Sequence, residues 1–179
     1  MTTRPKSLRE VAAHSDSLGE FGRHLRDWLH ELRRFTSRAQ AAAAIAAEPP
    51  FLSGRFPEGR TADAWLGAYA EHLSRKLGRA APAWAFVPNR IAPDPTFDQG
   101  AETPKLRTLA LLHSPAAFKR RNLFTPSVDL PLRLRPGRPA KSPEERRKTN
   151  AERQRRFRRA RHEELVGLRK LQRKHALRK

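Results

Sequence analysis

Cysteine is absent from the 179 residues of this chain, and methionine and tyrosine each occur once. Without cysteine there is no disulfide scaffold, no cysteine-ligated zinc and no cysteine nucleophile. Long apolar runs are lacking as well, because the longest, residues 41–47, has seven residues, whereas a bilayer-spanning helix needs roughly 20. The N-terminus leads into charged residues and not into an apolar signal core. These absences predict a reduced, cytoplasmic location.

Acidic residues are scarce: 18 Asp and Glu stand against 38 Lys and Arg, which gives a formal net charge of +20. Such an excess favours a negatively charged partner, whether nucleic acid, an anionic membrane surface or an acidic protein. The charge is unevenly distributed, since residues 1–124 hold 19 basic and 12 acidic side chains and residues 125–179 hold 19 and 6. The C-terminal part is therefore the stronger candidate for a binding segment.

Aromatic and proline residues divide the chain at the same place. All three tryptophans, the tyrosine and eight of the nine phenylalanines precede residue 125, so that a hydrophobic core is predicted there. Five prolines lie between residues 126 and 143 and exclude a helix. We therefore predict an all-α protein with a compact helical domain over residues 5–124, a proline-rich extended linker over residues 125–142, and a basic helical arm over residues 143–179.

Apolar residues at steps of three and four predict the helices of the first domain. Ser17 and Ser37 each begin a four-residue pattern typical of a capping box, and Gly78 is a predicted helix end. Thr103 and Ser114 each precede a proline and are predicted to cap the next two helices. The predicted helices cover residues 8–13, 18–35, an alanine-rich segment that ends at Pro49, 61–77, 104–113 and 115–121.

The segment from Phe118 to Phe124 places three charged residues between two phenylalanines. We interpret it as a helix end with both rings in the core and the basic residues solvated, in preference to a contact site.

Two pairs of residues, Arg9 with His14 and Arg107 with His113, have the spacing of the arginine and histidine that helical ribonucleases use for charge stabilisation and proton transfer. Chance matches are expected among seven histidines, and no metal or cofactor pattern is seen. A non-enzymatic protein is therefore the main prediction.

The arm carries the strongest signal in the sequence. Ser142 and Pro143 predict a helix start, and no proline or glycine interrupts residues 144–166. Like charges at i,i+4 disfavour the isolated helix, so we predict that it folds when phosphates or an acidic partner neutralise it. Asn150 or Gln154 would suit adenine and an arginine would suit guanine, while a solvated basic tail with nonspecific affinity is the alternative. The predicted nucleic-acid-binding residues are Arg138, Lys141, Arg146, Arg147, Lys148, Asn150, Arg153, Gln154, Arg155, Arg156, Arg158, Arg159 and Arg161.

Two parts of the tail show weak similarity to DNA-binding motifs. Residues 150–158 resemble the basic region of basic-leucine-zipper proteins, with an Asn and an Arg eight apart, but Arg153 replaces a small residue and no zipper follows, so we reject membership of that family. Residues 135–139 resemble the core of an AT-hook, with Pro136 in place of the arginine expected before glycine. The Gly137-Arg138-Pro139 sequence is left as a weak candidate for minor-groove contact.

The helical domain resembles a group of small, poorly characterised bacterial proteins. The resemblance lies in four stretches, Arg23 to Leu29, Ala62 to Tyr69, Ala81 to Trp84 and Leu111 to Phe124. The genes of that group often lie beside a gene for a nucleotidyltransferase-like toxin, so the resemblance implies an antitoxin-type role. The expected function is therefore a toxin-binding helical domain with a DNA-binding arm. The alternative is an RNA-binding or ribosome-associated basic protein, and a helical ribonuclease is the least favoured.

Overall fold

The computed structural model describes residues 4–132, except 99, 127 and 129, and residues 144–162, except 146, 149 and 160. The chain divides into two compact units, Met1–Arg135 and Pro136–Lys179. The described part of the first unit is mostly helical, and every described residue of the second is helical. The mainly helical character predicted from the sequence is thus confirmed.

The first unit contains six α-helices in its described part. Three 3-10 helices, Leu32–Arg34, Ala83–Phe86 and Pro88–Arg90, lie between them. The predicted short helix at residues 8–13 and the helix at 104–113 have the predicted bounds. The α-helices are α1 (Leu8–Ala13), α2 (Leu18–Glu31), α3 (Arg38–Ala46), α4 (Gly59–Lys76), α5 (Pro104–His113) and α6 (Ala116–Lys119).

Side-chain caps begin three of these helices as the sequence predicts. Ser37 forms a full capping box with Gln40, since each side chain accepts a hydrogen bond from the backbone N–H of the other. Ser17 accepts from the Glu20 N–H, but the Glu20 carboxylate reaches back to the Asp16 N–H, one residue earlier than a capping box requires. These bonds satisfy amides that have no partner inside the helix.

Glycine ends α4 where the sequence predicts a stop. Gly78 has a φ of 65°, a left-handed conformation that costs glycine little. The Gly78 N–H donates to the Arg75 carbonyl and the Arg79 N–H to the Ser74 carbonyl, both at 3.0 Å. This pair of bonds is a Schellman motif, which satisfies the last carbonyls of the helix.

The cap predicted at Ser114 is wrong. Pro115 is itself the N-cap of α6, and the helix covers only four residues. The Ser114 hydroxyl instead donates to the Ala110 carbonyl at the end of α5 and accepts from the Thr125 N–H at 2.7 Å. The buried Ser114 hydroxyl thus connects the end of α5 to the backbone at Thr125. The local spacing of residues does not predict such a contact.

The core surrounds α4. Leu66, Tyr69 and Leu73 of this helix lie in one buried cluster with residues of α1, α2 and α6, among them Trp28 and Phe118. Tyr69 packs edge-on against both aromatic rings, at centroid distances of 5.9 Å to Trp28 and 5.2 Å to Phe118. The apolar residues at three- and four-residue steps along the predicted helix 18–35 are mostly buried, but Leu29 and Phe35 are half-buried and Leu18 is 48% exposed.

A short parallel strand pair corrects the all-α prediction. Strand β1 (Thr96–Phe97) pairs with β2 (Leu123–Phe124), and the rings of Phe97 and Phe124 stack at 5.1 Å. Asn122 turns the chain with a φ of 58° and donates from its side chain to the Ala92 carbonyl. The pairing joins residues far apart in sequence, and neither segment is long enough to show the alternation typical of a strand.

The described part of the predicted linker belongs to the first unit and packs against its core. Thr125 and Leu130 are buried, and Val128 and Leu132 contact the same hydrophobic cluster as the helices. The compact unit therefore includes residues beyond the predicted domain end at 124. No described residue of this segment is helical, yet the segment still buries apolar side chains.

Two fully buried arginines are held by carboxylates of α4. Arg90 Nη1 lies 3.1 Å from Asp63 Oδ1, and Arg121 Nη1 lies 2.6 Å from Glu71 Oε2. Arg121 also donates to the carbonyls of Ala117 and Ala85, both at 2.6 Å. The interpretation that the basic residues before Phe124 are all solvated is thus wrong for Arg121, because the long-range Glu71 and carbonyl partners compensate its burial.

Asp63 of α4 also holds the loop at residues 52–53, which lies against the first residue of α4. Its carboxylate accepts hydrogen bonds from the N–H groups of Leu52 and Ser53 at 3.0–3.1 Å. Burial raises the pKa of Asp63, while these amides and the charge of Arg90 oppose the rise. One side chain thus links α4, the loop at 52–53 and the 3-10 helix that ends at Arg90.

We predict that the buried phenol makes the protein lose stability at high pH. Burial, together with the charge of Asp98, raises the pKa of Tyr69 from 10.0 to about 12. The folded state keeps the proton longer, so this contribution is complete below pH 10 and is lost as the pH rises to about 12. At about 1.4 kcal/mol per pKa unit, the loss is about 3 kcal/mol.

The single tyrosine makes this prediction measurable. The near-ultraviolet absorbance of tyrosinate reports Tyr69 alone, so its titration midpoint is expected well above 10 in the native protein and near 10 in denaturant. Circular dichroism recorded at each pH separates phenol ionisation from unfolding. A native midpoint near 10 with the helix signal intact would contradict the prediction.

Candidate nucleic-acid interface

The basic arm is helical throughout the part that the structure describes. Residues 144–162, apart from the three gaps, are helical and exposed. Ten of the thirteen predicted binding residues are among them, whereas Arg138, Lys141 and Arg146 lie outside the described residues. The ten are Arg147, Lys148, Asn150, Arg153, Gln154, Arg155, Arg156, Arg158, Arg159 and Arg161.

The described arginines of this helix form no ion pair with the described carboxylates Glu144 and Glu152. Lys148 Nζ lies 3.2 Å from Glu144 Oε1, an exposed i,i+4 pair. Among the described residues of the arm, none of the seven arginines has a carboxylate within 4.0 Å. Solvated guanidinium groups that repel one another are available for phosphates, which would remove the repulsion and bind at the same time.

The helix brings the predicted base-reading residues together. Asn150, Gln154, Phe157 and Arg161 follow one another at steps of four, three and four residues, which places them within a narrow face of an α-helix. We call these four residues the Asn150 face. Two amides and a guanidinium are the groups that recognise adenine and guanine edges in a major groove.

Three of the predicted binding residues, all basic, lie on the opposite side of the same helix. Lys148, Arg155 and Arg159 recur at steps of seven and four and lie well away from the Asn150 face. A helix that lies in a groove needs both kinds of group, because phosphate contacts fix its position and base contacts give it specificity. The sequence predicts the residue types, and the helix shows how they are distributed around the axis.

Phe157 is an aromatic residue that the predicted list of binding residues does not include. Its side chain is 66% exposed on the Asn150 face, unlike the buried or half-buried aromatic rings of the core. An exposed ring beside guanidinium groups can stack on an unpaired base or contact a thymine methyl group. Its position three residues after Gln154 is the sequence signal that identifies it.

Arg107 and His14 of the ribonuclease-like pairs each contact a residue outside their own pair. Arg107 and His113 lie on α5 about 120° apart around its axis. The Arg107 guanidinium lies over the Phe97 ring at 5.5 Å, and its Nε donates to the Ala101 carbonyl. His14 follows the last residue of α1 and packs against the ring of His24 at 5.9 Å.

Leucine exposure on α5 is a feature that the sequence analysis missed. The helix has four leucines in ten residues, yet its buried residue is Ala110 and none of the leucines is buried. Leu106, Leu109 and Leu112, at three-residue steps, lie along one side of the helix, and all are exposed. Apolar periodicity normally indicates a buried face, so the pattern alone does not separate this helix from a core helix.

The described residues contain neither a metal-binding cluster nor a membrane-spanning helix. No group of three or more His, Asp or Glu side chains is placed to hold a metal ion. No described helix combines the length and the apolar character needed to cross a membrane.

Comparison with known proteins identified no relative: no protein-family model, curated protein or solved structure matches the chain.

Proposed function

We propose that this protein is an antitoxin-like, non-catalytic regulator that binds DNA through its basic arm and pairs with a nucleotidyltransferase-like toxin through its helical domain. The observation that carries the DNA-binding part is the exposed arm helix, in which seven described arginines have no carboxylate within ion-pair distance. The toxin pairing is supported by the resemblance of the helical domain and by the exposed leucines of α5.

The division of charge supports separate roles for the two units. The carboxylates of the first unit hold several of its arginines, including the buried Arg90 and Arg121 and the exposed Arg23. The arm has no comparable compensation in its described part. Nucleic-acid affinity is therefore assigned to the arm, and the helical domain is left free to contact a protein.

We predict that neutralising three arm arginines changes the salt dependence of DNA binding. About six phosphate contacts give a log–log slope of affinity against salt of about −5 for the full chain. The triple variant Arg155→Gln, Arg158→Gln, Arg159→Gln removes up to three of these contacts, so its slope should be about −3. Fluorescence anisotropy with a labelled duplex over a series of salt concentrations measures both.

A matched control tests whether the location of the removed arginines, and not only the total charge removed, determines the salt slope. The triple variant Arg33→Gln, Arg38→Gln, Arg60→Gln loses the same charge from exposed residues of the first unit. It should keep the slope of the full chain, because these arginines lie outside the arm. Equal slopes for the two triple variants would contradict the assignment of DNA binding to the arm.

RNA binding is the second candidate, and the exposure of Phe157 favours it. Sequence-specific RNA recognition stacks unpaired bases on aromatic side chains, and Phe157 is 66% exposed among basic groups. Competition between duplex DNA and a structured RNA for the full chain distinguishes the two functions. Preferential displacement by RNA, reduced in a Phe157→Ala variant, would replace the DNA proposal by the RNA one.

A further inference from the structure

The outer side of α5 is an apolar surface of the first unit. The exposed fractions of Leu106, Leu109 and Leu112 are 41%, 37% and 65%, and Leu111 is also 45% exposed. We call the first three the leucine face. Clustered exposed leucines, unlike single ones, commonly mark an interaction site, since water contact with a continuous apolar patch is unfavourable.

Basic groups lie beside the leucine face, and α5 itself carries no carboxylate. Lys105 lies on the same side of α5 as the three leucines, and Lys119 of α6 donates from Nζ to the Leu112 carbonyl at 3.0 Å. Neither Asp nor Glu occurs between residues 103 and 128. The surface thus combines an apolar centre with positive charge at its edge.

This combination selects among the possible occupants. A second copy of the chain would place the same basic groups opposite one another, which is unfavourable. The basic arm, as another possible occupant, would be repelled by these groups even more strongly. An interfacial membrane helix has a strongly charged polar face opposite its apolar face, whereas α5 carries only two residues with full charges, Lys105 and Arg107. The complement of the leucine face is an apolar stripe flanked by carboxylates.

We propose that the leucine face of α5 binds an acidic amphipathic helix of a partner protein. The proposal rests on the proposed pairing with a toxin and specifies the chemistry of the surface that the partner would present. The leucines would fill the apolar stripe of the partner helix, as in helix-in-groove recognition. Lys105 and Lys119 would face its carboxylates and set its orientation.

The experiment uses the full chain and three synthetic peptides as probes. The first peptide is helical, with leucines at three- and four-residue steps and glutamates elsewhere. The second has the same composition in a scrambled order, and the third has lysine in place of glutamate. Fluorescence anisotropy should show binding of the first peptide at least about tenfold tighter than binding of the other two.

The scrambled peptide controls for nonspecific attraction to the arm, because it has the same charge without an apolar stripe. The Arg155, Arg158, Arg159 triple glutamine variant provides a second control and should keep its preference for the first peptide. Substituting Leu106, Leu109 and Leu112 by serine should weaken that binding about tenfold or more. Since all three are exposed, the thermal unfolding midpoint should change little, and the single Leu112→Ser variant can replace the triple one if it misfolds.

The outcomes separate this proposal from the proposed function. If the unmodified chain binds DNA but shows no preference for the acidic amphipathic peptide, the leucine-face proposal alone is overturned. Equal binding of the amphipathic and scrambled peptides also overturns it. If the chain forms concentration-dependent dimers and the serine variant does not, the occupant is a second copy of the chain. If the chain binds anionic lipid vesicles and the serine variant does not, the occupant is a membrane surface. Both results would contradict the proposal.

Discussion

Replacing Arg90 by methionine is expected to lower the free energy of unfolding by about 3–5 kcal/mol, because Asp63 would be left buried without its cation. Both side chains of the pair are fully buried, and Arg90 also donates to the Pro49 carbonyl at 2.5 Å. Methionine occupies similar space but restores neither interaction. Chemical denaturation followed by tryptophan fluorescence measures the change.

The control for this prediction is an exposed ion pair on α2. Arg23 lies 3.6 Å from Glu20, and its side chain is 60% exposed. Exposed pairs contribute about 0–1 kcal/mol, so Arg23→Met should have little effect. If the two methionine variants lost similar stability, the buried pair would not be a main determinant of this fold.

Introducing a methyl group at Gly59 is expected to destabilise the fold by about 3 kcal/mol or more. A Cβ atom at this first residue of α4 would overlap the Leu52 carbonyl, coming within 2.5 Å of its carbon and 2.9 Å of the Ser53 nitrogen. All three atoms belong to backbone that Asp63 holds by hydrogen bonds. The loop therefore cannot move without weakening those bonds.

Gly22 in α2 supplies the matched glycine substitution. No atom lies within 4 Å of a Cβ built at this position, and the residue is helical. Gly22→Ala should therefore raise stability by about 0.5–1 kcal/mol, the usual gain of alanine over glycine in a helix. Opposite signs for the two alanine variants are the expected result in thermal unfolding. A neutral Gly59→Ala would show that the loop at 52–53 relaxes freely.

Local patterns predicted most of the helices because their causes are local. Ser37 with Gln40, Thr103 with Pro104 and the glycine at 78 act within one turn, so their spacing is visible in the sequence. The bounds of α4 differ from the prediction by two residues at the start. The first residue of the helix, Gly59, lies against the Leu52 backbone, a contact that the spacing of apolar residues does not show.

The arrangement of charge in the first unit could not be predicted in the same way. Arg121 is one of three consecutive charged residues before Asn122, and nothing in that run distinguishes it from Arg120. The fold places Arg121 against Glu71, 50 residues earlier, and leaves Arg120 about half exposed. Burial of a charge depends on partners from other elements, and tertiary packing alone supplies them.

The sequence by itself determined the helical character, the excess of positive charge behind a proline-rich segment, and the residue types of the candidate DNA-binding helix. Only the tertiary structure decided which charges are compensated and which apolar residues stay exposed. The leucines of α5 have the same periodicity as core leucines, yet all four are exposed. The physical reason is that hydrophobic and ionic energies depend on what lies opposite a side chain, and that is fixed when distant segments meet.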